Sequence, residues 1–155
     1  MAGKDDQSSI EFKRLEQDEL DQLLQAHDAF LTGGRGGQRA QLAFHDLSNL
    51  DLNDRNLRDI DFSGTKLRQA TLKGAQLISA NLFAADLSVA SLDGADLTRA
   101  DLRGACFRGA VLTDATMVES DLREGVLAKY DAQRDLEVVS FGATPAELTT
   151  VLAAR

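Results

Sequence analysis

Eighteen apolar residues recur at every fifth position without a break: Leu42, Leu47, Leu52, Leu57, Phe62, Leu67, Leu72, Leu77, Leu82, Leu87, Leu92, Leu97, Leu102, Phe107, Leu112, Met117, Leu122 and Leu127. A step of five turns a helix by about 140°, and along a strand an odd step alternates between faces, so neither element gathers these residues on one side. The chain must change direction once per repeat, with each pentad forming one side of a coil and every centre pointing inward.

Two residues before each centre, most of the array carries alanine: Ala70, Ala75, Ala80, Ala85, Ala90, Ala95, Ala100, Ala105, Ala110 and Ala115. Alanine held beside an inward leucine faces a crowded interior. The other three positions carry Asp, Asn, Ser, Thr, Arg, Lys and Gly and are read as facing water. The pattern describes a narrow rod filled by side chains. Departures cluster early, where the small position holds His45, Leu50, Arg55, Ile60 and Thr65, and return late at Ser120 and Gly125. Arg55 cannot enter an apolar interior unpaired without a heavy cost, so the first coil is expected to be irregular, with a flanking helix against Leu50 and Ile60.

Residues 80–84 (Ala-Asn-Leu-Phe-Ala), 95–99 (Ala-Asp-Leu-Thr-Arg) and 100–104 (Ala-Asp-Leu-Arg-Gly) resemble the pentapeptide repeat family, whose pattern is Ala-Asp/Asn-Leu-x-x, and the resemblance covers about 90 of the 155 residues. It implies an all-β fold, a right-handed quadrilateral β-helix with four pentads per coil. Leu42, Phe62, Leu82, Leu102 and Leu122 would then form one of four internal ladders. At the interstrand spacing of about 4.8 Å, four and a half coils make a rod of roughly 22 Å.

Three parts are expected: a lead-in of residues 1–39, the array of 18 pentads over 40–129, and a tail over 130–155. Residues 10–15 alternate weakly, as a short strand would. Leu20, Leu23, Leu24, His27, Phe30 and Leu31 follow helical spacing, Gly33 and Gly34 sit where a left-handed cap would, and Glu16, Asp18, Glu19 and Asp21 supply negative charge at the start. A helix near Gln17–Thr32 follows, and it is assigned to cap the amino end of the solenoid, where an open edge invites association. Gly33-Gly34-Arg35-Gly36-Gly37 lacks the phosphate-loop pattern and precedes no helix, so it is read as a turn. In the tail, Thr144, Pro145 and Glu147 make a capping box, with Leu148, Val151 and Leu152 as the stripe of a short helix. An edge strand is expected near residues 136–141. The tail either caps the carboxyl end or mediates dimerisation, which the family resemblance also implies.

Net charge is −8, divided as 5 basic and 8 acidic residues over 1–39, 10 and 13 over 40–129, and 2 and 4 over 130–155. No segment has the Lys/Arg cluster needed to bind nucleic acid directly or to sit on an anionic membrane. No apolar run approaches the roughly 20 residues of a membrane span, and the start of the chain is unlike a secretion signal; a cytoplasmic location is the expectation. Cys106 alone forms no internal disulfide, and with His27 and His45 it makes no zinc spacing, so neither metal nor cofactor is expected.

His27 lies on the apolar stripe and is read as a hydrogen-bonded packing residue; His45 lacks a catalytic companion. Cys106 occupies an outward position, which would expose it to oxidation, and is read by default as a neutral surface thiol. Four pentads per coil place Asp61, Asn81, Asp101 and Asp121 in one outer column, with Arg103 and Arg123 beside it. Ile78, Phe83 and Val118 are the outward apolar exceptions. The candidate interaction surface is therefore Ile78, Phe83, Val118, Asp101 and Asp121, used either for a partner protein or for docking the tail stripe.

With no recognisable acid, base or nucleophile set, the first functional reading is a non-enzymatic protein-binding or scaffolding module of unspecified partner. The alternative is a DNA-mimicking regulator of gyrase or another topoisomerase, since pentapeptide repeat proteins that protect gyrase resemble this chain in repeat and acidity; they are longer rods, and the interleaved arginines spoil the mimicry. A third reading is a folded unit of a bacterial signalling protein. Residues 23–52 are similar to the start of bacterial pentapeptide proteins that carry a cyclic-dinucleotide-binding PilZ domain, but only Arg99 and Arg103 match that domain's Arg-x-x-x-Arg half-pattern.

Overall fold

The computed structural model describes residues 11–123. Ile10, the pentads centred beyond Leu122, Gly125 and the whole tail with its expected strand and helix lie outside the described residues. Within them the array winds as a parallel solenoid with a period of twenty residues. The residue before each centre bridges to the residue twenty later, as in Gln41↔Asp61, Asp61↔Asn81, Asn81↔Asp101 and Asp101↔Asp121 on one side and Asn56↔Gln76, Gln76↔Asp96 and Asp96↔Thr116 on another. Each centre donates its N–H to the coil that follows, as Leu82 does to the Asp101 carbonyl at 2.8 Å, and the return bond runs from Asp101 N–H to the Ala80 carbonyl at 2.9 Å. Four pentads therefore make one coil. Sides one to four are numbered here from the pentads of Leu42, Leu47, Leu52 and Leu57.

The corner between sides is a tight turn. The centre's carbonyl accepts the N–H three residues on, as in Ala80 to Leu77 at 3.0 Å. The residue two past each centre has positive φ, 58° at Asp54, 59° at Val89 and 58° at Arg99. A left-handed third residue is what a type II turn demands, so glycine and asparagine are favoured at this phase of the pentad. At Gly74 a Cβ would also meet the Asp54 carboxylate one coil earlier, which would have to turn aside.

A second regularity explains the polar residue before each centre. The N–H one past the centre faces away from the ladder, and the side chain before the centre accepts it: Asp46 from Ser48 at 3.0 Å, Asp51 from Asn53 at 2.8 Å, Asn81 from Phe83 at 3.0 Å, Asp96 from Thr98 at 3.0 Å. Sequence reasoning gave this position only to solvent. Its Asp and Asn residues instead pair an otherwise outward-facing amide of their own turn.

Inside the coil, the centres from Leu42 to Leu112 and the alanines from Ala70 to Ala110 are all buried, while Ala115, Met117 and Leu122 are partly buried against the same core. The early departures are absorbed individually. Leu50 and Ile60 join a core shared with Leu20 and Leu24 of the lead-in. Thr65 is fully buried and donates its hydroxyl to the Leu42 carbonyl at 2.6 Å. Arg55 is only partly buried and reaches outward to Asp21 at 2.6 Å, which resolves the cost of placing a cation at this phase.

The lead-in forms β1 (Lys13–Arg14) and α1 (Gln17–Thr32), and β1 pairs in parallel with β2 (His45–Asp46) at the first coil. Glu16 stands before α1 as its N-cap, one residue earlier than the acidic first turn expected from sequence, and Glu19 accepts its N–H at 2.9 Å. Gly33 closes the helix at φ 75°, and Gly34 donates to the Ala29 carbonyl at 2.7 Å. Gly37 then passes so near the helix end that a Cβ there would lie 2.5 Å from the Phe30 nitrogen.

Candidate functional site

The twenty-residue register brings Ile78 and Val118 into one column of side four and Phe83, Asp101 and Asp121 onto side one, so the five residues surround the edge where these sides meet. Val118 is 56% exposed; Ile78 and Phe83 are half-buried. The Phe83 ring is not bare, because the Arg103 guanidinium sits 5.3 Å from its centroid. A cation over a ring face is favourable and narrows the apolar patch at this corner.

The charged ladder is tightly self-paired. Arg103 holds Asp101 through two bonds of 2.9 and 2.7 Å and lies 3.8 Å from Asp121. Arg123 grips Asp121 in the same two-pronged way, at 2.9 and 2.7 Å. The Arg123 side-chain bonds, helped by its charge, bring the Asp121 carboxyl down to about 2, and those of Arg103 lower Asp101 in the same direction. Both arginines are raised by the carboxylates they hold. The column is a ladder of alternating charge, with its negative field locally compensated.

The two histidines are structural. His27 is fully buried; its Nδ1 accepts the Ala40 N–H at 3.0 Å and its Nε2 faces the Arg58 carbonyl at 2.9 Å. These partners require the tautomer with hydrogen on Nε2. His45 Nδ1 lies 3.0 Å from the Ala43 carbonyl within its own turn. The expectation of an exposed Cys106 is corrected: the thiol is 7% exposed, with Sγ 3.5 Å from the Ser88 hydroxyl, because the coil beneath places Ser88 against it and Ser88 is tied to Asp86. Among the described residues, no three of His, Cys, Asp and Glu come together to hold a metal ion, and no helix is long and apolar enough to cross a membrane.

Sequence reasoning missed a second surface. Of the helical stripe, Leu20, Leu24 and His27 are buried and Leu31 is half-buried, leaving Leu23 39% and Phe30 42% exposed. A groove of about 400 Å³ runs between α1 and the first coil, lined by Leu23, Ala26, Gln38, Arg39, Ala40 and Gln41. The available signal was the width of the stripe, which is broader than one narrow coil can cover.

A family model described as pentapeptide repeats matches eight copies over residues 46–82, 75–114 and 90–127. The chain belongs to the pentapeptide repeat family. Among solved structures, it is similar to HetL, a pentapeptide repeat protein involved in heterocyst differentiation regulation from the cyanobacterium Nostoc sp. strain PCC 7120, with 38% identity over 51% of this chain and 39% of that one, at a TM-score of 0.41. A trypsin-treated variant of QnrB1, a plasmid-mediated fluoroquinolone resistance protein, is 26% identical over 49% and 37%, at 0.47. The pentapeptide repeat protein alr5209 from Nostoc PCC 7120 is 28% identical over 64% and 74%, at 0.44. The chain thus spans about two fifths of the length of the first two. No curated protein sequence matches it at a significant level.

Proposed function

We propose that this chain is a non-catalytic, cytoplasmic protein-binding or scaffolding module, a right-handed quadrilateral β-helix that meets one partner protein at the corner formed by Ile78, Phe83, Val118, Asp101 and Asp121. The observation that carries this reading is Val118, an apolar side chain more than half exposed, beside a ladder of paired charges held at fixed spacing on a rigid coil. A small apolar anchor with a charged rim suits a protein interface in which the anchor supplies affinity and the rim orientation. Affinity capture from the native host with the wild-type chain and with Val118→Asp tests it: a protein retained by the first and lost by the second supports the corner, and equal retention removes it.

A second reading is favoured by the acidic column Asp61, Asp101 and Asp121: a DNA-mimicking regulator of a topoisomerase such as gyrase. Arg103 and Arg123 weigh against it by neutralising the upper half of the column, Asp101 and Asp121. Unchanged gyrase supercoiling at micromolar protein discards it.

A further inference from the structure

The coil gathers cations that the sequence scatters. On side two, the bridges Arg14↔Asp46, Asp46↔Lys66, Lys66↔Asp86 and Asp86↔Cys106 stack one column along the solenoid. Arg68 and Arg108 stand in the column one past the centres Leu67 and Phe107, so Lys13, Arg14, Lys66, Arg68 and Arg108 share a side. The carboxylates among them are engaged within their own turns: Asp46 accepts the Ser48 N–H at 3.0 Å and lies 3.4 Å from Arg14, and Asp86 accepts both the N–H and the hydroxyl of Ser88. In a chain of net charge −8, side two is thus a positive face, and such a local field favours an acidic partner.

Val89 stands where this face turns into side three. It is 49% exposed at φ 59°. A β-branched residue in the left-handed region is held against the preference of its backbone, and at this exposure burial offsets little of that strain. The other residues at its phase on side two are Asn49, Gln69 and Gly109, which the turn or the solvent accommodates. Neither turn nor core accounts for valine here, whereas contact with another molecule does.

The ladder sets the spacing around this anchor. The Gln69 N–H donates to the Ser88 carbonyl at 3.0 Å and the Val89 N–H to the Arg108 carbonyl at 2.8 Å, so the exposed Arg68 and Arg108 occupy the coils on either side of Val89. Coils about 4.8 Å apart put the two arginines about 10 Å apart, with Val89 at the level between them. A helix rises about 10.5 Å over seven residues and about 5 Å over three to four, so one lying along the solenoid brings acids at i and i+7 to the arginines and an aliphatic side chain at i+3 or i+4 to Val89. We propose that side two docks an acidic amphipathic helix of a partner protein, with Val89 as its apolar anchor and Arg68 and Arg108 as its charge contacts. Nucleic acid fits this face less well, because Asp46 and Asp86 interrupt the cations and Val89 offers no ring on which a base can stack. The face lies diagonally across the coil from Val118 and does not depend on binding there.

Panning a random dodecapeptide library on the full-length chain, followed by fluorescence anisotropy with the most enriched peptide, tests the proposal. Enriched peptides should carry Asp or Glu seven residues apart around an aliphatic residue. Kd should rise at least about tenfold for Arg68→Glu and for Val89→Asn, and should not change for Val118→Asp. Val89→Asn relieves left-handed strain and keeps the fold, so its loss of binding is not a loss of folding, even where Arg68→Glu unfolds. Enriched peptides that lack acidic residues, a Kd that Val89→Asn leaves unchanged, or a single-stranded DNA oligonucleotide that binds more tightly than every selected peptide would overturn the proposal. So would peptide binding that is lost in Val118→Asp alone, which would give the acidic helix to the other corner.

Discussion

The Nδ1 atom of His27 accepts the backbone N–H of Ala40 at 3.0 Å, and this bond joins α1 to the start of the array. The opposite nitrogen, Nε2, faces the Arg58 carbonyl, so one fully buried ring serves two backbone groups on two sides of the coil. Replacing His27 by Leu keeps the ring's apolar contacts in part but orphans both groups. A loss of about 2–4 kcal/mol is expected, since each buried unsatisfied polar group costs about 1–3 kcal/mol. Urea denaturation measures it, and a loss below about 0.5 kcal/mol would show that the cap is not fastened through this ring.

Asp96 accepts both the Thr98 amide at 3.0 Å and the Thr98 hydroxyl at 2.5 Å. Asp96→Ala leaves an outward-facing amide to water alone and is predicted to cost about 1 kcal/mol, with Asp96→Asn recovering most of it. Equal losses in the two variants would mean that charge, not the turn bond, explains the residue.

Val89 is a β-branched residue at φ 59° and is 49% exposed, with Gly109 above it in the next coil offering little to pack against. The left-handed region costs an L-residue roughly 1–2 kcal/mol, and asparagine tolerates it best among residues with a Cβ. Val89→Asn should therefore raise stability by about 0.5–1 kcal/mol. A lowered thermal midpoint would indicate that the Val89 side chain is held by an interaction that offsets its strain.

Acid should weaken the paired ladder in a defined window. The ordinary carboxyl value is 3.8, and the Arg123 side chain brings Asp121 down to about 2 in the folded chain. A group depressed on folding stabilises the native state above its unfolded value, and that contribution is lost as pH falls through the folded value. The difference in denaturation midpoint between wild type and Asp121→Asn should be constant above about pH 5, shrink between 3.8 and 2, and vanish below, as linkage requires. A difference that stays constant down to pH 2 would show that the Arg123 contacts do not persist in solution.

How far the sequence already contained this structure varied with the kind of signal. The apolar residue at every fifth position and the alanine two before it read directly as the buried axis, since burial tolerates few residue types and Leu82 and Leu102 superpose as that spacing requires. The bounds of α1 were legible because Gly33 and Gly34 punctuate its end. The turn geometry was also written in the sequence: Gly64, Gly74, Gly94, Gly104 and Gly109 all stand two past a centre, the phase that needs positive φ. Treating that phase as merely polar concealed it. The fate of Arg55 and Cys106 was not legible, because each depends on one neighbour, Asp21 or Ser88, that only the coil brings alongside. At the candidate corner, the Asp101 and Asp121 column and its arginines followed from a period of twenty, whereas the cover of Phe83 by Arg103 needed side-chain coordinates. The groove beside Leu23 went unseen because periodicity marks apolar positions without saying how many the neighbouring surface can cover.

Binding at the corner is the claim on which the functional account stands, and titrating the captured partner into wild type and Val118→Asp by calorimetry tests it most directly. Val118 is 56% exposed, so the substitution should leave the unfolding midpoint nearly unchanged. A buried interface anchor exchanged for a charge typically costs more than 1.4 kcal/mol, so Kd should rise by at least about tenfold. Equal Kd values for the two proteins at matched stability would contradict the account.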